Sequence, residues 1–237
     1  MLADRSDNIG NGKLSEGVEI DASVRAVIDF IETHFSDFSK KIKGELTASE
    51  KALTDKLCIY FNRKANGYPF NFQREKVEDY STGQSAQVDI GTISENEQLN
   101  VAGYDYSEWD SFFSIEAKRL PTPGKSRERE YVIGHNKPNG GIERFKKGIH
   151  GKGLRYSAIV GFVQKEDFDF WFLKINGWIE ELINTSKGEW MTEDKLRKLT
   201  DQDGNQLSKF ESDNIRLPAK SKTDKIKLLH FWITLVK

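Results

Sequence analysis

The chain has 237 residues, of which 37% are hydrophobic and 31% are charged, and its formal net charge is −1. This composition predicts a globular protein with a sizeable core and excludes both a disordered chain and a uniformly basic nucleic-acid binder. The single cysteine, Cys58, excludes a disulfide framework and indicates a reducing compartment. Because no run approaches about 18 apolar residues and residues 1–13 contain no apolar signal region, we expect a cytoplasmic protein with no membrane partner.

The first third of the chain predicts a leader and two helices. Residues 1–20 are polar and contain three glycines, which indicates a flexible leader. Apolar residues then recur at helical spacing over 21–43 and again over 49–64. Thr47 is the expected cap of the second helix, and Glu50 three residues later would complete a capping box.

Strand-like stretches dominate the next part of the chain. They lie near 69–77, 85–93 and 111–120, and we expect the polar connection over 94–110 to be a loop. A short helix at 141–150 leads to an apolar, β-branched stretch at 156–164, which is typical of a strand buried on both faces.

A helix at 168–185 and two strands near 205–217 and 225–236 complete the order. We therefore expect an α/β (α+β) protein with a mixed β-sheet flanked by helices and an additional N-terminal helix. Residues 21–237 would form a single domain with a core at about 47–185. The C-terminal extension, 186–237, would either extend the sheet or form a small appendage.

Charge is segregated in the middle of the chain. Residues 77–117 hold nine acids and no Lys or Arg, whereas residues 118–155 carry a net charge of +8. An acidic segment followed by a basic one favours a metal site beside a polyanion-binding surface, although two solvated loops of opposite charge would give the same pattern. The basic residues that we expect to bind nucleic acid are Lys125, Arg127, Arg129, Arg144, Lys147 and Lys152.

Two of the predicted strands carry polar side chains at alternate positions. In "EAK" at 116–118, Glu116 and Lys118 share one face of the strand, and in "QVD" at 87–89 Asp89 shares a face with its second neighbour Gln87. Adjacent strands would place Asp89 beside Glu116, and a divalent cation would relieve their repulsion. Oxygen-only ligands select Mg²⁺ or Mn²⁺, and a nearby lysine can hold a phosphate oxygen or deprotonate a water. This set of groups is one that hydrolyses phosphodiesters.

The chain resembles the PD-(D/E)xK nuclease superfamily, which has the restriction-endonuclease-like fold. The resemblance lies in an Asp on one strand, Glu-x-Lys on the next, and an αβββαβ order of elements from residue 47 to 164. The resemblance covers about half of the chain. Val88 stands where many members have proline, and the 26 residues between Asp89 and Glu116 are more than many members have.

The resemblance implies a role for each matching residue. Asp89 and Glu116 would bind the metal together with the backbone carbonyl of Ala117. Lys118 would be the catalytic lysine. Two further residues of the site would be Glu50, as a ligand of the metal or of its water, and Gln87, in an assisting role.

We therefore expect a Mg²⁺- or Mn²⁺-dependent endonuclease that acts on DNA, with restriction or phage defence and a homodimer as implications of the resemblance. An RNA nuclease would use the same chemistry. A non-catalytic nucleic-acid-binding or assembly protein on the same fold is the alternative from another class.

The candidate residues also have structural interpretations. Glu50 would belong to the capping box alone, Asp89 would be a strand-end acid in a turn near Gly91, and the Glu116–Lys118 pair would lie on an exposed edge strand. His135 and His150 would be surface or capping residues unless they contact phosphates. Trp171, Trp178 and Trp232 are interpreted as core residues.

Overall fold

A computed structural model describes residues 20–80, 86–124, 127–202, 206–217 and 223–236. The predicted leader, apart from Ile20, and the candidate Lys125 lie outside the described residues. The helices are α1 (Ala22–Ile42), α2 (Glu50–Lys64), α3 (Gly141–Lys146) and α4 (Phe168–Thr185). The strands are β1 (Phe70–Val77), β2 (Gln87–Ser94), β3 (Gln98–Val101), β4 (Tyr104–Ser107), β5 (Ser111–Leu120), β6 (Tyr156–Val163), β7 (Arg197–Gln202), β8 (Leu207–Ile215) and β9 (Lys225–Thr234).

Seven of these strands form one sheet in the order β1-β2-β5-β6-β9-β8-β7. The three central strands β5, β6 and β9 are parallel, and the pairs on either side of them are antiparallel. The expectation of a mixed sheet flanked by helices is therefore confirmed. The C-terminal strands extend this sheet, since β9 pairs with β6 along its whole length.

Helices cover both faces of the sheet because its central strands are apolar on both faces. Every residue of β6 after Tyr156 is buried, as predicted for this stretch. One core cluster lies between the sheet and helices α1 and α2, where rings such as Phe30 and Phe61 pack edge to face. The other core cluster contains residues of α3 and α4 and includes Trp171, Trp178 and Trp232, as the sequence predicts.

Two parts of the connectivity differ from the expectation. The segment 94–110 is not a loop, because it contains the hairpin β3–β4, which turns at Ala102 and Gly103 with positive φ at both. The sequence does not predict strand β7 either. The hairpin strands and β7 are short and mostly polar, so none of them shows the apolar alternation by which a strand is recognised.

The ends of two helices also differ from the prediction. Ser49, and not Thr47, caps α2, since its side chain accepts a hydrogen bond from the Ala52 amide at 3.2 Å. The helix expected over 141–150 ends at Lys146, and the chain then turns through Gly148 at positive φ. That turn directs the following residues back toward β5.

Gly161 permits close packing of β6 against β9. A Cβ atom at this position would lie 2.4 Å from Cδ1 of Trp232, which is fully buried. We therefore expect Gly161→Ala to lower the free energy of unfolding by about 1–3 kcal/mol through overpacking. Gly177 in α4 is exposed, and an added Cβ there would have no atom within 4 Å. Gly177→Ala should therefore raise the free energy of unfolding by about 0.5–1 kcal/mol. Urea denaturation of both variants measures the difference, and equal effects would contradict this packing.

Candidate active site

The ladder between β2 and β5 brings two carboxylates together. Ile90 pairs with Ile115, so Asp89 and Glu116 are the next residues on the two strands. The Asp89 Oδ2 atom accepts a hydrogen bond from the Ala117 amide at 2.8 Å. Gly91 lies inside β2 and not in a turn, so the interpretation of Asp89 as an acid of a turn is wrong.

Glu116 and Lys118 form a buried ion pair in the middle of the sheet. Their residues are 0% and 5% exposed, and Lys118 Nζ lies 2.7 Å from Glu116 Oε1. The same ammonium donates to the Ala117 carbonyl at 3.1 Å. Since β5 lies between β2 and β6, the interpretation of this pair as an exposed edge-strand face is wrong.

Glu50 reaches the same cluster from the first turn of α2. Its Oε1 atom lies 3.6 Å from Lys118 Nζ, and its Oε2 atom accepts from the Arg119 amide at 3.1 Å. The capping box expected with Thr47 is not formed, since Ser49 is the cap. The Glu50 carboxylate is therefore held at the site by the backbone of β5.

Gln87 is the predicted site residue that the structure does not bring into the cluster. It is exposed at the start of β2. Within the described ranges, no hydrogen bond joins its side chain to Asp89 or Glu116.

Three residues complete the cluster in a way that strand periodicity does not show. Arg144, predicted to bind nucleic acid, directs its NH1 group to Glu116 Oε1 at 2.9 Å. His150 is 1% exposed and places Nδ1 3.0 Å from Glu78 Oε2, so its interpretation as a surface residue is wrong. His135, by contrast, is exposed. Only the fold could reveal these contacts, because they join residues that are far apart in sequence.

The other basic residues predicted to bind nucleic acid are partly compensated by acids. Arg127 forms two hydrogen bonds with Glu130, at 2.7 and 2.6 Å. The remaining pairs are Arg129 with Glu181 at 2.5 Å and Lys147 with Glu143 at 2.6 Å. Lys152 is exposed in the turn after α3. The surface therefore presents less unpaired positive charge than the sequence count indicates.

The site holds more negative than positive charge. Its four carboxylates belong to Glu50, Glu78, Asp89 and Glu116. Its three permanent cations are Lys118, Arg144 and Arg74, whose NH1 group lies 3.9 Å from Asp89 Oδ1. Burial, together with repulsion by Glu116, raises the pKa of Asp89 to about 7.

Attraction between neighbouring charges outweighs burial in setting the pKa values of Glu116 and Lys118. Burial opposes ionisation of Glu116, but the attraction of neighbouring cations, of which Lys118 has the largest effect, outweighs it and lowers the Glu116 pKa to about 2. Burial also opposes the charge of Lys118, but Glu116, Glu50 and Asp89 raise its pKa above the usual value. Lys118 is therefore an ammonium at neutral pH, which favours charge stabilisation over proton abstraction from water.

Because folding raises the pKa of Asp89 from 3.8 to about 7, its contribution to stability is present below about pH 4 and is lost as the pH rises through 7. Asp89→Asn should therefore be more stable than the parent at pH 8 in EDTA. The shift corresponds to at most about 4 kcal/mol, and screening of a side chain that is 29% exposed reduces the expected gain to about 1–3 kcal/mol. Urea denaturation at pH 5 and pH 8 tests this. A gain of equal size at both pH values would contradict the assigned titration.

The residues present fit a divalent cation. Among the described residues, Glu116 Oε2 is buried and has no hydrogen-bond partner, although it belongs to an ionised carboxylate. Buried charges in proteins are otherwise paired or bound to metals, and this site has an excess of negative charge. Asp89, Glu116 and the Ala117 carbonyl provide oxygen donors, the class that Mg²⁺ and Mn²⁺ prefer. Within the same described ranges, no three His, Cys, Asp or Glu side chains already converge as a ligand set, and the Lys118 ammonium contacts two of these donor groups.

Comparison with known proteins gives no relative. No protein-family model, no curated protein and no solved structure matches this chain. In the part of the chain that the structure describes, none of the helices has both the length and the apolar composition needed to cross a bilayer.

Proposed function

We propose that this chain is a metal-dependent endonuclease that hydrolyses phosphodiester bonds in DNA. The observation that carries the proposal is the cluster of Asp89 with the buried Glu116 and Lys118, in which one oxygen of an ionised Glu116 has no hydrogen-bond partner among the described residues. Placing so many charges at the centre of a sheet is costly, so a structure that retains them indicates a use for them.

The order of elements also supports the resemblance to PD-(D/E)xK nucleases. From α2 to β6 the main sheet and its helices follow the order α2-β1-β2-β5-α3-β6, which is the αβββαβ succession that the resemblance implies. The hairpin β3–β4 is an insertion between the strands that carry Asp89 and Glu116. This insertion accounts for the long spacing between the two acids.

Each residue of the cluster has a separate task in the proposed reaction. Asp89, Glu116 and the Ala117 carbonyl would hold the metal, with Glu50 beside them. When bound, the metal supplies a water of lowered pKa and neutralises charge that develops on the phosphate. The Lys118 ammonium stabilises negative charge on the phosphoryl oxygens.

Two contacts keep this arrangement ready for a substrate. Arg144 keeps Glu116 ionised and fixed through its bond to Oε1. The Arg119 amide fixes the Glu50 carboxylate beside Lys118. Because both anchors lie on ordered elements, little reorganisation is needed when substrate binds.

The decisive experiment compares supercoiled plasmid, single-stranded DNA and structured RNA as substrates in Mg²⁺, Mn²⁺ and EDTA. We expect metal-dependent nicking of the plasmid, with a loss of about 100-fold or more in the isosteric variant Glu116→Gln. Glu211→Gln is the matched control, because Glu211 forms ion pairs on β8, three strands away from β5.

The other outcomes separate the alternatives. Cleavage of RNA alone would identify a ribonuclease with the same site. DNA binding without cleavage in any metal would support the non-catalytic binding or assembly protein, for which the ion pairs of the basic segment would be structural. The expected homodimer and the cytoplasmic location stay predictions.

A further inference from the structure

Glu78 and the buried His150 form a pair beside Glu116. His150 Nδ1 lies 3.0 Å from Glu78 Oε2. The other oxygen of Glu78 accepts hydrogen bonds from Ser114 Oγ at 2.8 Å and from the Gly151 amide at 2.9 Å. Both oxygens of this carboxylate are therefore engaged, which fixes its position.

The tautomer of His150 follows from its second contact. Arg144 NH1 lies 3.2 Å from His150 Nε2, and a guanidinium can only donate hydrogen bonds. In the neutral ring, Nε2 is therefore the acceptor, and Nδ1 carries the proton that is donated to Glu78. The contacts form a consistent series in which His150 donates to Glu78 and accepts from Arg144.

Arg144 extends this series to the proposed metal ligand. The same NH1 group that contacts His150 lies 2.9 Å from Glu116 Oε1, which also accepts from Lys118. Two cations therefore bind one oxygen of Glu116, and Oε2 is left without a hydrogen-bond partner among the described residues. His150 Nε2 lies 3.5 Å from this Oε2 atom but presents a lone pair to it.

We propose that Glu78 and His150 are positioning residues: they hold Arg144 on Glu116 Oε1 and so leave Oε2 available for a divalent cation. This inference rests on the proposed function, because it assigns Glu116 to the metal. Outer contacts of this kind orient metal ligands in proteins, and their loss typically costs about 10–100-fold in metal affinity.

The variant Glu78→Gln tests the proposal with almost no change in shape. The amide oxygen must face Ser114 Oγ and the Gly151 amide, so the amide NH₂ faces His150 Nδ1. Nδ1 would then become the acceptor, and Nε2 would carry the proton. An Nε2–H group would donate to Glu116 Oε2, the oxygen proposed for the metal.

We expect Glu78→Gln to weaken Mn²⁺ binding by about 10–100-fold, measured by isothermal titration calorimetry on the folded protein. His150→Asn, which keeps only the donor to Glu78, should weaken it similarly. His150→Gln, which keeps an acceptor for Arg144, should stay within about threefold of the parent. The matched control is His230→Asn, since His230 is also buried between two partners, Tyr131 and Ser212, and should change stability without changing Mn²⁺ affinity.

The ¹⁵N chemical shifts of the histidine ring give a check that needs no variant. His150 in the Nδ1–H form in the parent and in the Nε2–H form in Glu78→Gln would support the proposal. Either the Nε2–H form or the doubly protonated ring in the parent would overturn it. Unchanged Mn²⁺ affinity in both Glu78→Gln and His150→Asn would also overturn it, with the proposed nuclease function intact. A parent protein that binds no Mn²⁺ at millimolar concentration would overturn the proposed function itself, and this inference with it.

Discussion

Lys118→Met is expected to slow cleavage strongly and at the same time to tighten the binding of Mn²⁺. The ammonium of Lys118 contacts Glu116 Oε1 at 2.7 Å, the Ala117 carbonyl at 3.1 Å and Glu50 Oε1 at 3.6 Å. All three groups are among the proposed metal ligands, so the lysine and the metal compete for the same negative charge. Removing one cation from a site with excess carboxylates increases its attraction for another.

The loss of cleavage has a different cause. Without the ammonium, no side chain at this position stabilises the charge that develops on the phosphate, and a loss of about 10²–10³-fold is expected. Methionine preserves most of the buried aliphatic volume, and Arg144 still pairs with the Glu116 carboxylate, so the sheet should remain folded. The variant therefore separates metal binding from catalysis, which a change at Asp89 or Glu116 cannot do.

Calorimetric titration with Mn²⁺ and a plasmid nicking assay measure the two effects on the same preparation. The rise in melting temperature on adding Mn²⁺ should be larger for Lys118→Met than for the parent, since tighter binding to the folded state stabilises it more. Lys227→Met is the matched control, because Lys227 is half-buried, pairs with Glu211 at 3.1 Å and lies on β9, two strands away from β5. Weaker Mn²⁺ binding in Lys118→Met would show that the lysine organises the site and does not compete for it.

The sequence predicts the strongly periodic elements almost to the residue. The bounds of β5 and α4 coincide with the predicted 111–120 and 168–185, because both elements have long apolar patterns and clear ends. The hairpin β3–β4 and strand β7 have few buried apolar residues, and their existence depends on pairing that local sequence does not express.

Some residues of the candidate site can be predicted from the sequence, and others cannot. The "EAK" of β5 and Asp89 are recognisable because alternation along a strand places charged residues on a shared face. Glu78 and His150 are 72 positions apart, and they meet only because the chain turns back after α3. Glu50 is ambiguous in the sequence, since a capping box uses the same residue type, and the cap formed by Ser49 resolves it.

A second ion pair, between Lys146 and Asp194, carries the largest expected effect on stability. Both residues are buried, and Lys146 Nζ lies 2.7 and 2.8 Å from the two carboxylate oxygens and 3.0 Å from the Ile215 carbonyl. The pair joins the end of α3 to a 3₁₀ turn and to β8. Burial lowers the pKa of Lys146 and raises that of Asp194, so each residue depends on the other to remain charged.

Lys146→Met should lower the free energy of unfolding by about 3–5 kcal/mol, because it leaves the Asp194 carboxylate buried without a counter-ion. The double variant Lys146→Met with Asp194→Asn should recover most of this loss. The neutral amide of the new side chain at position 194 needs no counter-ion. Its oxygen can still accept a hydrogen bond from the Met191 amide, which lies 2.7 Å from Asp194 Oδ2.

Urea denaturation at pH 5 and pH 8 distinguishes this mechanism from a simple packing defect. Burial raises the pKa of Asp194 even with its partner present, and without Lys146 that pKa rises further. Protonation at pH 5 then removes part of the unpaired charge, so the loss in Lys146→Met should be smaller at pH 5 than at pH 8. A packing defect would give the same loss at both pH values and no recovery in the double variant, because replacing Asp194 by Asn restores no volume at position 146.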